Sequence, residues 1–201
     1  PLVLLGIHRL ISLKKPLLYI FSLALSLAVN YYTGYFLCLF SLLFFAAKAL
    51  IFHPLRTREG RRSLLFSSLR FALSSLAAGG LSALVLLPTA LSLSGGSKSA
   101  PALSSLNFTV RHTLPALLSK LYTGSFENAD LWSSNIPSVF CGILTLCLAL
   151  LFFLNKKISR KEKLAGAALL SAMAVSDMFQ IFYLLWHGFN FPVGFPCRQA
   201  F

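Results

Sequence analysis

Basic residues stand in three short clusters along this chain, and long apolar stretches separate the clusters. The clusters fall at residues 14–15, 56–62 and 156–163. An even number of membrane-spanning stretches can be placed between each cluster and the next, so all three can lie on one side of a bilayer. Lys and Arg in short loops are retained on the cytoplasmic face. The spacing therefore predicts an integral membrane protein whose basic loops are cytoplasmic.

The composition agrees with a chain that is solvated mainly by lipid. Hydrophobic residues make up 57% of the chain and charged residues 11%, whereas soluble domains carry about 25% charged residues. The mean hydropathy is +0.77. The formal net charge of +13 lies mostly in the juxtamembrane clusters, and no nucleic-acid recognition motif accompanies it. We expect membrane lipid as a partner and no nucleic acid.

Five stretches predict membrane-spanning helices, each of which needs about 20 apolar residues. They are residues 16–32, 35–52, 64–87, 139–154 and 164–186. The expected fold is an all-α, polytopic transmembrane helical bundle that forms a single domain over residues 1–201. Residues 1–13 are too short to cross, and they predict an interfacial helix or the end of a span.

Two pairs of these stretches predict antiparallel hairpins. Asn30, Thr33 and Gly34 form the turn of the first hairpin, and the basic loop 155–163 joins the two stretches of the second. Arg70 lies inside the third stretch but near its cytoplasmic end. A long side chain at that depth can lift its guanidinium group into the interface.

The connection at residues 88–137 is predicted to be a long external loop, and the segment 187–201 is placed on the same outer side. Four leucines within the loop follow the i, i+3, i+4, i+7 spacing of one helical face. They are Leu114, Leu117, Leu118 and Leu121. The pattern predicts a short interfacial helix on the outer leaflet. Alternatively, the leucines cover the lateral face of the bundle.

Only five acidic residues are present, which narrows the search for a catalytic base. Glu127 and Asp130 are three residues apart in the outer loop, where they could take a proton or hold a divalent cation, or simply belong to a polar loop. Asp177 falls inside the last stretch, and an acid within the membrane is costly unless it is paired or hydrated. A shorter span would place Asp177 at the interface instead.

Several residues on the predicted outer side suit a phosphorylated, sugar-bearing ligand. Lys98, Arg111, His112 and Arg198 could bind phosphate, Arg especially because its planar fork matches phosphate oxygens. Trp186, His187 and Asn190 could bind a sugar, although aromatic anchoring at the membrane boundary would also explain this segment. His and Cys show no ligand-like spacing, so we expect no metal site and identify no cofactor.

Three motifs together resemble the bacterial YfhO membrane protein family. They are the hairpin sequence at residues 30–35, the Cys141-Gly142 opening of a stretch that ends at residues 151–158, and the run Trp186-His187-Gly188-Phe189-Asn190 followed by Pro192, Phe195, Pro196 and Arg198. The resemblance extends over nearly the whole chain. It corresponds to a middle piece of a longer protein.

The resemblance implies a polytopic C-type glycosyltransferase of the bacterial cell membrane. Such enzymes transfer sugar from a polyprenyl-phosphate donor on the extracytoplasmic face, and the implied acceptor is a surface polymer such as lipoteichoic acid. The resemblance also implies that the usual catalytic carboxylate precedes this segment, so Glu127, Asp130 and Asp177 remain independent candidates. A flippase or transporter of lipid-linked sugars and a non-catalytic scaffold of envelope assembly are the alternatives.

Overall fold

The computed structural model describes residues 1–53, 56–94, 108–121 and 142–188. All regular secondary structure within these ranges is helical, which confirms the all-α fold class. The helices are α1 (Leu2–Ser12), α2 (Leu17–Val29), α3 (Tyr31–Phe52), α4 (Arg58–Ser94), α5 (Leu114–Ser119), α6 (Ile143–Leu154), α7 (Arg160–Met178) and α8 (Gln180–Trp186). The chain forms two compact units, Pro1–Lys98 and Ser99–Phe201. The prediction of a single domain stays a prediction.

In the first unit, α2 lies against α1, α3 and α4, and glycines allow two of these approaches. A Cβ atom added at Gly6 would lie 2.6 Å from the Cα atom of Tyr19, and one added at Gly34 would lie 2.9 Å from the Cα atom of Leu27. Both neighbours are backbone atoms, which cannot move aside as the end of a side chain can. The helices therefore pack backbone to backbone at these two points.

A stack of three aromatic rings forms the centre of the first unit. The ring of Phe71 stacks on Phe45 with 4.3 Å between centroids and on Tyr19 with 5.3 Å between centroids. The Tyr19 hydroxyl is 2.8 Å from Ser75 Oγ, so the buried tyrosine has a hydrogen-bonding partner. The α4 residues on the inner face follow helical spacing. They are Ser67, Phe71, Ser74, Ala78 and Ser82.

The turn of the first hairpin is shorter than the sequence predicts. Asn30 has extended backbone angles, and its Oδ1 atom accepts hydrogen bonds from the backbone N–H groups of Tyr32 and Thr33. This arrangement is an N-cap, which supplies a partner for the first donors of a helix. The prediction that Thr33 and Gly34 lie in the turn is wrong, because the cap at Asn30 allows α3 to begin at Tyr31.

Helix α4 is longer than the predicted span of residues 64–87 at both ends. Its first turn is capped by Thr57, whose Oγ1 atom accepts a hydrogen bond from the N–H of Gly60. The helix continues through Pro88 to Ser94, so the first seven residues of the predicted external loop are helical. A proline removes one intrahelical hydrogen bond, but the Leu and Ala residues around it are good helix formers. At 1.5 Å per residue, the 37 residues of α4 extend about 55 Å.

In the second unit, α6 and α7 flank the basic loop as predicted, but helix begins inside it. Ser159 and Glu162 form a capping box at the start of α7, so Arg160, Lys161 and Lys163 are helical. The Lys163 ammonium group donates to the Phe153 carbonyl near the end of α6. A Cβ atom at Gly166 would lie 3.1 Å from the Phe152 ring. Helices α6 and α7 therefore contact each other next to the loop that connects them.

Two described helices, α3 and α4, are long and apolar enough to cross a membrane. Helices α2 and α6 have 13 and 12 residues, which is shorter than the hydrocarbon core requires. Many large apolar side chains are exposed, such as Leu84 at 86%, Val29 at 77% and Leu76 at 72%. Lipid is the solvent in which such exposure is favourable.

The close contact at Gly6 can be tested with two chemically identical substitutions. Gly6→Ala forces the backbones of α1 and α2 apart, so we expect it to lower the stability of the protein by about 1–3 kcal/mol. Gly79→Ala places the same methyl group where no atom lies within 4 Å, and Ala has the higher helix propensity. Thermal unfolding in detergent should therefore show a lower Tm for the first variant only. Equal Tm values would contradict the close packing.

Candidate functional site

The last apolar stretch is interrupted by one extended residue. Helix α7 ends at Met178, Phe179 has φ −106° and ψ 133°, and α8 begins at Gln180. The prediction of one continuous helix over residues 164–186 is therefore wrong. We call this interruption at Phe179 the helix break. Backbone groups next to such a break lose their intrahelical partners.

Residues 108–113, which we call the crossing segment, supply partners for these backbone groups. The N–H of Arg111 donates to the carbonyl of Met178 at 2.7 Å, and the N–H of Gln180 donates to the carbonyl of Thr109 at 3.1 Å. Val110 and Phe179 form an isolated antiparallel bridge between these two bonds. The crossing segment thus lies against the helix break.

The pairing brings Arg111 to an aromatic pair on α8. The Arg111 guanidinium carbon lies 4.1 Å from the centroid of the Tyr183 ring, within the range of a cation–π contact. The Tyr183 ring lies 4.3 Å from the ring of His187, one helical turn further on. Tyr183 is fully buried and His187 is 5% exposed. The cation is therefore held against a buried aromatic surface.

The hydrogen bond at His187 determines which ring nitrogen carries a proton when the imidazole is neutral. Its Nδ1 atom lies 2.8 Å from the backbone carbonyl of Tyr183. A carbonyl oxygen can only accept a hydrogen bond, so Nδ1 is the donor and Nε2 is the acceptor of the neutral ring. His187 can therefore accept a proton at Nε2.

Two further titratable residues are buried at the helix break. Asp177, which precedes Met178, is 3% exposed, and His112, which follows Arg111, is 2% exposed. A carboxylate at such a position needs a charged or hydrogen-bonding partner. The crossing segment, the end of α7 and α8 with its C-cap thus carry a guanidinium group, a carboxylic acid, two imidazoles and a phenol, all in the second unit.

Of the predicted site residues, Arg111 lies against the Tyr183 ring, which also contacts the ring of His187, and Asp177 lies two residues before Phe179. Trp186 lies beside His187 but is 4% exposed, so it is buried in this unit. Five other predicted residues lie outside the described ranges: Lys98, Glu127, Asp130, Asn190 and Arg198. Within the described ranges, His, Cys, Asp and Glu form no cluster of three that could hold a metal ion.

The predicted leucine helix contributes to this site from one side. Helix α5 is present, but it ends at Ser119, so Leu121 lies beyond it. Leu117 packs with Tyr183, and Leu121 and Met178 pack against this pair. Leu114 and Leu118 are exposed at 48% and 56%. The four leucines therefore do not act as one uniform apolar face.

Tyr183 was the functional candidate that sequence patterns did not single out. Its signal was its spacing, because residues four apart lie on one face of a helix, and Tyr183 is four residues before His187. The helix break had a weaker signal in Ser176 and Asp177, two polar residues within an apolar stretch. Neither signal identifies the crossing segment as the partner.

These helices and their exposed apolar surfaces define a helical membrane protein. The sequence matches the family described as bacterial membrane protein YfhO over residues 1–201. The chain therefore belongs to the YfhO family, which confirms the resemblance drawn from its motifs. No curated protein and no solved structure matches it.

The hydrogen bond between Gln180 and Thr109 can be removed without disturbing α8. Gln180 is the first residue of the helix, where proline is well tolerated, and Phe179 already has the extended conformation that precedes proline. We expect Gln180→Pro to make the packing of the crossing segment against the helix break less stable by about 0.5–1.5 kcal/mol, the usual net contribution of one hydrogen bond. Hydrogen–deuterium exchange at Arg111 should become faster. Gln180→Ala keeps the N–H group, and faster exchange in that variant as well would contradict this assignment.

Proposed function

We propose that this chain is part of a membrane glycosyltransferase that takes sugar from a polyprenyl-phosphate donor. The acceptor would be a cell-surface polymer such as lipoteichoic acid. Membership of the YfhO family supports a membrane protein of the bacterial envelope. The observation that carries the proposal is the helix break, which places Arg111 against the Tyr183 ring beside His187 and lies next to the buried Asp177.

The residues at the break suit two requirements of glycosyl transfer: stabilising the charge of the leaving phosphate and accepting the proton of the acceptor hydroxyl. The acceptor hydroxyl oxygen forms a bond to the anomeric carbon while the bond from that carbon to the phosphate oxygen breaks. The electron pair of the broken bond leaves with polyprenyl phosphate, whose charge a guanidinium group can stabilise. The hydroxyl proton needs an acceptor, and Asp177 or Nε2 of His187 could take it. Arg111 is our choice for the phosphate, with Lys98 and Arg198 as further candidates.

The sugar would be recognised by the end of α8 and the segment that follows it. Trp186, His187 and Asn190 combine ring faces, an imidazole and an amide, which suit the C–H faces and hydroxyl groups of a pyranose. A divalent cation, if one is required, would be held by Glu127 and Asp130. The lipid tail of the donor would lie along the exposed leucines of the helices.

A flippase of lipid-linked sugars is the second candidate, and the helix break is the observation that favours it. Substrate sites of many transporters are formed by discontinuous helices near the middle of the membrane. A flippase would need the same phosphate recognition by Arg111, but no proton acceptor. Release of free polyprenyl phosphate therefore distinguishes the two candidates. A scaffold of envelope assembly would bind neither donor nor product.

The proposal includes a topology of five membrane-spanning stretches. The basic loops would be cytoplasmic, and the crossing segment, residues 108–113, would be extracytoplasmic. The extracytoplasmic side is where a polyprenyl-phosphate sugar would meet a surface polymer. The basic clusters carry this orientation because they favour the cytoplasmic face. Residues 64–87 of α4 would form the third crossing.

The role of Arg111 can be tested in the full-length protein, purified in detergent with a radiolabelled polyprenyl-phosphate sugar and lipoteichoic acid. We expect Arg111→Gln to lower the rate of label transfer about 100-fold, because a donor that stabilises the leaving charge is lost. Arg160→Gln removes the same charge from an exposed position in the basic loop and should leave the rate unchanged. Equal rates for wild type and Arg111→Gln would contradict the assignment of the phosphate.

Asp177→Asn and His187→Gln separate the two candidate proton acceptors in the same assay. We expect the variant that removes the acceptor to lose transfer about 100-fold while donor binding is retained. If label never enters the polymer even with wild-type protein, and liposomes show donor crossing the bilayer, the flippase is the correct function.

The proposed sidedness can be tested by single cysteines introduced into a cysteine-free protein in intact cells. We expect a membrane-impermeant maleimide to label Ser119→Cys from outside and to label Lys157→Cys only after the cells are opened. Both positions are exposed in the structure. Labelling of Lys157→Cys in intact cells would reverse the orientation.

A further inference from the structure

A second group of charged residues lies in the first unit, far in sequence from the helix break. A cleft of about 320 Å³ opens where α1 ends, α3 ends and α4 begins. We call it the basic cleft and define it by its charged and titratable lining residues: Lys14, His53, Glu59, Arg62 and Arg70. The proposed function assigns no ligand-binding role to any of these residues.

The basic cleft carries an excess of positive charge. Lys14, Arg62 and Arg70 outnumber the one carboxylate, that of Glu59, by two. Within residues 1–53 and 56–94, none of the three cations takes part in an ion pair. An excess of uncompensated cations in one concave site attracts an anion.

Contacts within the unit hold the lining residues in place. Lys14 has a φ of 58°, a left-handed conformation that usually falls to glycine at the end of a helix. The Arg62 guanidinium carbon lies 5.7 Å from the centroid of the Phe66 ring. His53 Nε2 is 3.0 Å from Ser67 Oγ, so the imidazole is tied to the buried face of α4. The cleft is thus lined by residues at the ends of α1 and α3 and in the first part of α4.

An apolar groove continues from the basic cleft. It has a volume of about 380 Å³, and we define it by five apolar residues: Pro16, Ile20, Phe66, Leu69 and Leu73. Phe66 and Arg70 line both the groove and the cleft. Leu69 and Leu73 are exposed at 54% and 58%. The charged basic cleft and the apolar groove therefore meet at Arg70.

We propose that the basic cleft and apolar groove together bind an anionic phospholipid. Arg62 and Arg70 would bind the phosphate oxygens of the headgroup, since guanidinium groups match them in pairs, and one acyl chain would lie in the groove. Free phosphate would leave the groove empty, which is why a lipid is the occupant that both features fit. Basic pockets between transmembrane helices bind anionic lipid headgroups by this chemistry. Arg70 then serves as a headgroup ligand in addition to reaching the interface.

Native mass spectrometry of the full-length protein in neutral detergent can test the proposal. The probe is dioleoyl phosphatidylglycerol, and dioleoyl phosphatidylcholine is the zwitterionic reference. We expect Arg62→Gln, Arg70→Gln and Lys14→Gly each to weaken phosphatidylglycerol binding about fivefold. Glycine fits the left-handed conformation at position 14, so that variant removes charge without straining the backbone.

Arg61→Gln is the matched control, because Arg61 is exposed and adjacent to Arg62 but does not line the cleft. It should leave binding unchanged, and Arg62→Lys should retain much of it. Phosphatidylcholine binding and Tm should stay the same in Arg62→Gln, which shows that the variant is folded.

Three outcomes would overturn the proposal. An equal loss in Arg61→Gln would mean that diffuse surface charge attracts the lipid. Complete displacement of phosphatidylglycerol by millimolar glycerol phosphate would mean that the cleft binds soluble phosphate compounds. Tighter binding of undecaprenyl phosphate, with the same sensitivity to Arg62→Gln, would make this a polyprenyl-phosphate site. None of these outcomes depends on whether sugar transfer occurs at the helix break.

Discussion

Backbone hydrogen bonding in apolar surroundings is the constraint on which the second unit depends. An unpaired backbone group in lipid or in a protein interior costs several kcal/mol, more than a single hydrogen bond usually contributes to stability. The extended residue Phe179 would leave the Met178 carbonyl and the Gln180 N–H in that condition. The crossing segment pairs with both. The helix break and the crossing segment therefore stabilise each other, and the pairing that satisfies Met178 also places Arg111 over Tyr183.

In the first unit the question is what holds the helices together, because the hydrophobic effect cannot drive helix association within lipid. Close van der Waals packing at small residues brings the helices together instead, and Gly6 and Gly34 allow that packing at two close approaches to α2. The serines of α4 remain compatible with burial because Ser74 and Ser82 donate to carbonyls one turn earlier in their own helix. Ser74 and Ser82 thus line the inner face of α4 with hydrogen-bonding partners in their own helix.

Hydrophobic patterning was sufficient to predict the helical class, the α2–α3 hairpin and α5, since these depend on local composition. Boundaries were less predictable, because single side chains such as Asn30 and Ser159 decide where helices begin. The helix break could not be predicted, because Phe179 has no local breaker and its bridge partner is Val110, in a distant part of the chain. Arg111, Asp177 and His187 were identified as residue types suited to the chemistry, but only the long-range pairing brings Arg111 from a distant part of the chain to the helix that ends beside His187. Tyr183 was missed because a tyrosine in an apolar stretch resembles any membrane anchor.

Arg111 at the helix break differs from Arg62 and Arg70 in the basic cleft in the contacts it makes, and the difference bears on the ligands we propose for them. A cation–π contact is made through the positive charge of the guanidinium group and requires no particular N–H donor. Contact with Tyr183 therefore fixes the position of Arg111 while leaving its chemistry compatible with a phosphate that arrives and departs, as turnover demands. In the basic cleft, Arg62 and Arg70 of α4 lie with Lys14, which follows α1, beside an open apolar groove. Several cations acting together with an acyl-chain groove favour long residence, which suits a structural lipid better than a substrate.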